Sequence, residues 1–258
     1  MEERNTTPGA TERLIPTTDE PARFAGPDHL ADPRALTILT TEHSSLLTAR
    51  SLVYNEAFAR AGMFLTFLTG TLVALGFLAS AMVSPGSGFG PDFLILATVL
   101  LGLDLFVGLA TLGRITGASV EELRAVQGMN RLRHAYLEMA PSLEPYISTS
   151  RHDDLTSVLA VYGPTAARGS ALGNLAHGLT TTPGMVGTIT AAVGGAFAAS
   201  FSLLLGASST TGVLAGLLGF AILTATIWVA TLRQFEAVER TMVARFPSSP
   251  AKAGPAER

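Results

Sequence analysis

Ala61–Val83 reads AGMFLTFLTGTLVALGFLASAMV, and after the short connection Ser84–Asp92 the chain continues at Phe93–Gly113 with FLILATVLLGLDLFVGLATLG. Each is an apolar run of the roughly 20 residues that a helix needs to cross the hydrocarbon of a bilayer. A helix buried in a soluble protein usually keeps a polar stripe, and the Thr and Ser residues here form none wide enough to face water. Two further runs repeat the pattern, about Met185–Leu205 and Val213–Leu232. The first is rich in Gly and Ala and so less hydrophobic. The second carries the only tryptophan, Trp228, near its end, where an interfacial aromatic sits. The sequence therefore predicts an all-α integral membrane protein with four transmembrane helices in two hairpins.

Composition agrees with that expectation. The chain is 48% hydrophobic and 14% charged, against about 25% charged in a soluble domain. Charges crowd into residues 1–60, 114–168 and 233–258. A net charge of −3 gives no basic character to attract nucleic acid. The absence of cysteine excludes disulfides, thiolate catalysis and Cys-based metal sites together. Pro91 and Pro183 fall just before the second and third spans, where a missing N–H costs a helix little. Ala79-Ser80-Ala81 has the form of a signal-peptidase site, but the apolar run before it is too long and a long polar stretch precedes that run, so no cleaved signal is expected.

Arginines set the expected orientation. Arg50 and Arg60 precede the first span, Arg114, Arg124, Arg131 and Arg133 follow the second, Arg168 precedes the third, and Arg233, Arg240 and Arg245 follow the fourth. The connections Ser84–Asp92 and Gly206–Gly212 hold no Arg or Lys. Positive residues near span ends stay cytoplasmic, which places both termini and the middle connection inside the inner (plasma) membrane.

This yields a plan of six segments. Residues 1–33 read as a disordered, net acidic cytoplasmic tail. Residues 34–60 form a juxtamembrane helix that runs on into the first span, with Glu56 and Arg60 spaced for a helical ion pair. Hairpin one covers 61–113, a cytoplasmic helical connection 114–183, hairpin two 184–232, and a C-terminal helix and tail 233–258. Within the connection, Ser119-Val-Glu-Glu122 fits a capping box that starts a new helix, which stops near Met139 before Pro141. A shorter helix is expected from about Asp153 to Gly163-Pro164, then a loop to Thr182, and the last helix is expected to reach Phe246. The apolar faces of 44–60 and 120–139 need burial and are expected to pack on each other. Gly62-Met63 and Gly184-Met185 open the two hairpins, and ATLGR (110–114) and ATLR (230–233) close them, which suggests a duplicated two-span unit.

One carboxylate, Asp104, lies mid-span, and such groups warrant a functional hypothesis. Ala97, Gly108 and Thr111 share its helix face, so it is expected to point into the bundle. No Lys, Arg or His lies at matching depth. Two roles follow: a proton or cation site, or interhelical glue in which the neutral acid bonds a threonine hydroxyl. The glue reading is the simpler one. Ladders of small residues, Gly62, Thr66, Gly70 and Ala74 in the first span and Gly187, Ala191, Gly195 and Ala199 in the third, permit close helix crossing within one chain or between copies. His152-Asp153-Asp154 reads as the acidic start of a helix, and His134 lacks a second His four residues on, so no metal site is expected. No cofactor loop or nucleophile constellation is present in the sequence.

The blocks RSLVYNEAFARAGMF (50–64) and GMNRLRHAYLE (128–138) resemble uncharacterised multi-pass membrane proteins of high-GC bacteria, over about residues 44–140. The hairpin with a following helix is also similar in architecture to SLATT-type modules of bacterial conflict systems, which is analogy of form alone. The first expectation for function is a non-enzymatic interaction, scaffold or effector protein, with the bilayer, further copies of itself and a cytoplasmic protein as partners. The second is an oligomeric channel or proton-linked transporter built on Asp104.

Overall fold

The computed structural model describes residues 30–82, 89–162 and 181–248. It consists of α1 (Pro33–Met82), α2 (Pro91–Met139), a short α3 (Leu155–Leu159), α4 (Thr182–Leu204) and α5 (Ser209–Thr241). There is no strand among the described residues. The four long helices are long and apolar enough to cross a membrane, and the chain is a multi-pass membrane protein.

α1 and α2 are each about twice the length that a bilayer requires. α1 has 50 residues, about 75 Å at 1.5 Å per residue, against a hydrocarbon core of about 30 Å. Asp32 starts α1 by accepting the Arg34 N–H at 2.8 Å, with Pro33 at the first helical position. No proline follows until after Met82. Ser and Thr along α1 return their hydroxyls to carbonyls four residues back, as Thr48 does to Ser44 and Thr66 to Gly62. The polar side chains thus satisfy themselves without breaking the helix.

α2 is equally continuous, and here the structure differs from the sequence expectation. Ser119 does not cap a new helix; its Oγ donates to the Ile115 carbonyl at 3.1 Å, inside the helix. A capping box needs a chain that enters from outside the helix, and the preceding turn at Ile115 is already helical. The stop before Pro141 is as expected.

α1 and α2 form an antiparallel pair in one register over their whole length. Tyr136 donates to the Leu39 carbonyl at 3.0 Å, Arg50 pairs with Glu122 at 2.8 Å, Arg114 pairs with Glu56 at 2.8 Å, and Phe64 reaches Gly108. At the far end Leu75, Leu78 and Ala79 pack on Phe93, Leu94 and Ala97. The other face of α2 meets α4, again antiparallel: Thr98 with Ser200, Gly102 with Phe197, Gly108 with Thr190, Leu112 with Gly187. α4 then packs on α5. Gly206, with φ 86°, takes the left-handed conformation that turns the chain between them. The result is a row in chain order, α1–α2–α4–α5, whose two end helices make no comparable pairing with each other.

At the arginine-bearing end, Leu123, Val126 and Met129 of α2 enclose a small core with Val158 of α3 and Val238 of α5, and Leu46 of α1 packs against it. The apolar face of 120–139 is thus buried within the chain as expected. The facing segment of α1 is buried only in part: Leu46 and Val53 are half-buried, while Leu47, Leu52, Tyr54 and Phe58 stay exposed. α3 is shorter than expected and passes into a 3₁₀ turn at Ala160–Tyr162. α5 ends at Thr241, before the expected Phe246. The expected loop to Thr182 and the expected tails lie almost wholly outside the described residues.

Candidate functional site

Asp104 is fully buried on α2, on the face that also buries Ala97, Gly108 and Thr111. The inward orientation read from their spacing is therefore met. One turn away, Gly108 is the point where three helices converge. A Cβ there would lie 2.7 Å from the Thr190 hydroxyl of α4 and 3.1 Å from the Phe64 ring of α1, so only glycine fits. Thr190 is occupied by the Val186 carbonyl of its own helix at 2.7 Å. Thr71 of α1 is the hydroxyl beside Asp104, but its approach falls short of hydrogen-bond geometry and both carboxylate oxygens lack a partner. Thr71 is the threonine that the interhelical-glue reading would use. None of the three principal cavities is lined by Asp104.

The two small-residue ladders have different fates. In α4, a Cβ on Gly195 would come within 2.8 Å of the Gly216 carbonyl of α5, and Ala199 lies against Gly216. That ladder packs the chain on itself. In α1, nothing lies within 4 Å of a Cβ at Gly62 or Gly70, and Thr66 and Ala74 are exposed.

A second polar centre, missed by sequence reasoning, sits at the arginine-bearing end. Asp153 does not start α3; it is fully buried and holds the segment that follows α5. Its carboxylate accepts the N–H of Arg245 at 2.9 Å and of Phe246 at 2.7 Å, and the Nε of Arg131 at 2.6 Å. Around it, Gln127 Nε2 donates to the carbonyls of Asp153 and Val243, and Asn130 Nδ2 to that of His152. The ring of Phe246 stacks on His134 with centroids 4.0 Å apart, and Ser248 donates to Asp154 at 2.7 Å. Burial alone would push the Asp153 carboxyl up, but the two N–H donors and the guanidinium hold it below the usual carboxylate range. This clamp joins α2, the 152–154 segment and residues 243–248. Its partners lie 22 to 116 positions apart, so no local pattern announces it.

Glu56 is the third charged centre. It takes Arg114 through both oxygens, at 3.1 and 2.8 Å, and Arg60 at 3.0 Å, which lowers its carboxyl to about 2. The expected Glu56–Arg60 pair is thus present, and Arg114 extends it to α2. Among the described residues no group of three or more His, Cys, Asp or Glu is placed to hold a metal ion.

No protein-family model matches the chain, and neither curated proteins nor solved structures offer a match.

Proposed function

We propose that this chain is a non-enzymatic interaction scaffold or effector of the inner (plasma) membrane, with its arginine-bearing end in the cytoplasm and a protein partner docking on α1. The observation that supports this most is the run of exposed apolar side chains on α1 beyond its membrane-crossing part: Leu36, Ile38, Leu47 and Leu52, with Ile38 at 65% and Leu52 at 64% exposure. They lie on the stretch that extends past the hydrocarbon, among exposed Ser, Thr and Glu residues. Apolar surface rimmed by polar groups marks sites of association. A photo-crosslinking residue at position 38 or 52, in intact cells, tests this. A defined adduct is expected, and it should vanish when Leu47 and Leu52 are both replaced by Ser while membrane insertion is unchanged. Adducts that persist in that double variant, or none at either position, would sink the reading.

A second reading, an oligomeric channel or proton-linked transporter, is favoured by the unpartnered carboxylate of Asp104. Asp104→Asn keeps the shape but cannot exchange a proton. Proton flux in proteoliposomes that is lost in this variant, with folding intact, supports the transporter; no flux in either protein removes it.

A further inference from the structure

The arginine-bearing boundary of the bundle holds two cavities that neither reading above uses. One, of about 470 Å³, has Arg50, Tyr54, Glu122 and Tyr162 in its wall. The other, of about 220 Å³, is walled by Gly187, Thr188, Thr224, Ile227 and Trp228. Ser119, Leu123, Thr181, Pro183 and Phe235 line both, so the two chambers adjoin. These volumes are of the order of small-molecule sites, about 300–1,000 Å³.

The chambers differ in chemistry along their common axis. The larger one ends in the Arg50–Glu122 ion pair, 2.8 Å between Nη2 and Oε1. Tyr162 lines the same end of the cavity, close to both partners. The smaller one reaches from Ser119, Leu123, Gln234 and Val238, beyond the apolar runs, to Gly187, Thr188, Thr224 and Ile227 within those of α4 and α5. Three of its threonines are occupied within their own helices: Thr116 donates to Leu112, Thr188 to Gly184 and Thr231 to Ile227. The larger chamber is lined only by residues outside the apolar runs and so sits at headgroup level, while the smaller one reaches into the runs. A molecule matching both ends has a hydrogen-bonding head and one hydrocarbon chain.

We propose that this double cavity is a binding site for a single-chain membrane amphiphile. The head bonds the Arg50–Glu122–Tyr162 group, and the chain passes between Pro183 and Phe235 to lie against Trp228. None of Leu36, Ile38, Leu47 and Leu52, the apolar residues of the partner surface, lines the site, although Arg50 belongs to the same stretch of α1. Ser119 lines both chambers, so a larger side chain there would take room from the hydrocarbon chain.

The only tryptophan of the protein lines the apolar chamber, so its fluorescence reports occupancy. The full chain in nanodiscs of unbrominated lipid is titrated with a dibrominated fatty acid, and in a parallel arm with the corresponding monoacylglycerol. Saturable quenching of Trp228 is expected in at least one arm, and which arm saturates identifies the head. Ser119→Leu or Thr188→Leu, each with its thermal unfolding unchanged, should weaken the midpoint about tenfold by filling the chamber. Gly70→Leu, on the outward face of α1, should leave it alone. Quenching that rises linearly with probe and is equal in all variants would show bulk lipid contact only and overturn the proposal. So would saturable binding that appears only after residues 163–180, which connect Tyr162 to Thr181, are replaced by a Gly-Ser linker, since the chain's own connection would then be the occupant.

Discussion

Asp153 keeps its charge without any solvent exposure because three donors replace the water it has lost. Removing such an acceptor strands all three. Asp153→Ala is therefore expected to cost about 3–5 kcal/mol and to free the segment after Thr241, read as faster tryptic cleavage at Arg245. Its carboxyl is lowered in the folded protein, so the stability it contributes is complete above the unfolded value, about 3.9, and is lost as pH falls through the lower folded value. Protection of Arg245 from a protease active in acid should hold flat from pH 8 to pH 5 and fail only below about pH 4. Asp104 is the converse case, a buried carboxylate with no donor. A buried polar group left without a hydrogen bond costs about 1–3 kcal/mol, which an apolar residue of similar volume removes. Asp104→Leu should raise resistance to unfolding in SDS; lower resistance would mean that the carboxyl has a structural partner. The inward face of Asp104 was legible because Ala97, Gly108 and Thr111 recur at helical spacing on the same side. The role of Asp153 was not, because local acidic clusters at helix starts look the same whether or not a distant strand of chain is bound.

At the scale of the element, the capping box is the instructive failure. Ser119 and Glu122 have the right types at the right spacing, yet α2 runs through them. The pattern works only where the preceding residues leave the helix, and Thr116 and Ser119 instead bond back to Leu112 and Ile115. Ser119→Ala should accordingly change stability by a few tenths of a kcal/mol, where a true cap would lose about 1 kcal/mol, as measured by unfolding midpoint. The glycines give a sharper contrast. Gly195→Leu must displace the backbone of α5 at Gly216 and is expected to lose at least about 3 kcal/mol through overpacking. Gly70→Ala faces open space and should be neutral or stabilising by up to about 1 kcal/mol. Equal losses at both positions would mean that the α1 ladder is packed too. Sequence spacing identified both ladders; which one the chain fills depends on the neighbour of each helix, and spacing carries no record of neighbours.

For the whole molecule, hydropathy and length made the four spans and two hairpins readable from Ala61–Val83 and its three counterparts. The row order was not readable, because short connections fix only that α1 pairs with α2 and α4 with α5. The pairing of α2 with α4 rests on Gly108 meeting Thr190 and Thr98 meeting Ser200, contacts across a long connection. Orientation is open to a direct check in this cysteine-free chain. A Ser209→Cys variant should react with an impermeant maleimide on intact cells, and a Ser148→Cys variant only after permeabilisation. The reverse pattern would invert the proposed topology.

The unbroken passage of α2 through Ser119 has a mechanical consequence. A helix interrupted at the bilayer surface hinges there, and tilting of its buried half dies out at the joint. α2 has no such joint, so its 26 residues beyond Gly113, to Met139, form a lever arm of about 39 Å. A change of about ten degrees in the tilt of the span, such as a bilayer of different thickness imposes, would swing the far tip by roughly 7 Å. Through the clamp at Asp153 the segment that follows α5 is tied to that same arm, so a change of bilayer thickness would displace it too.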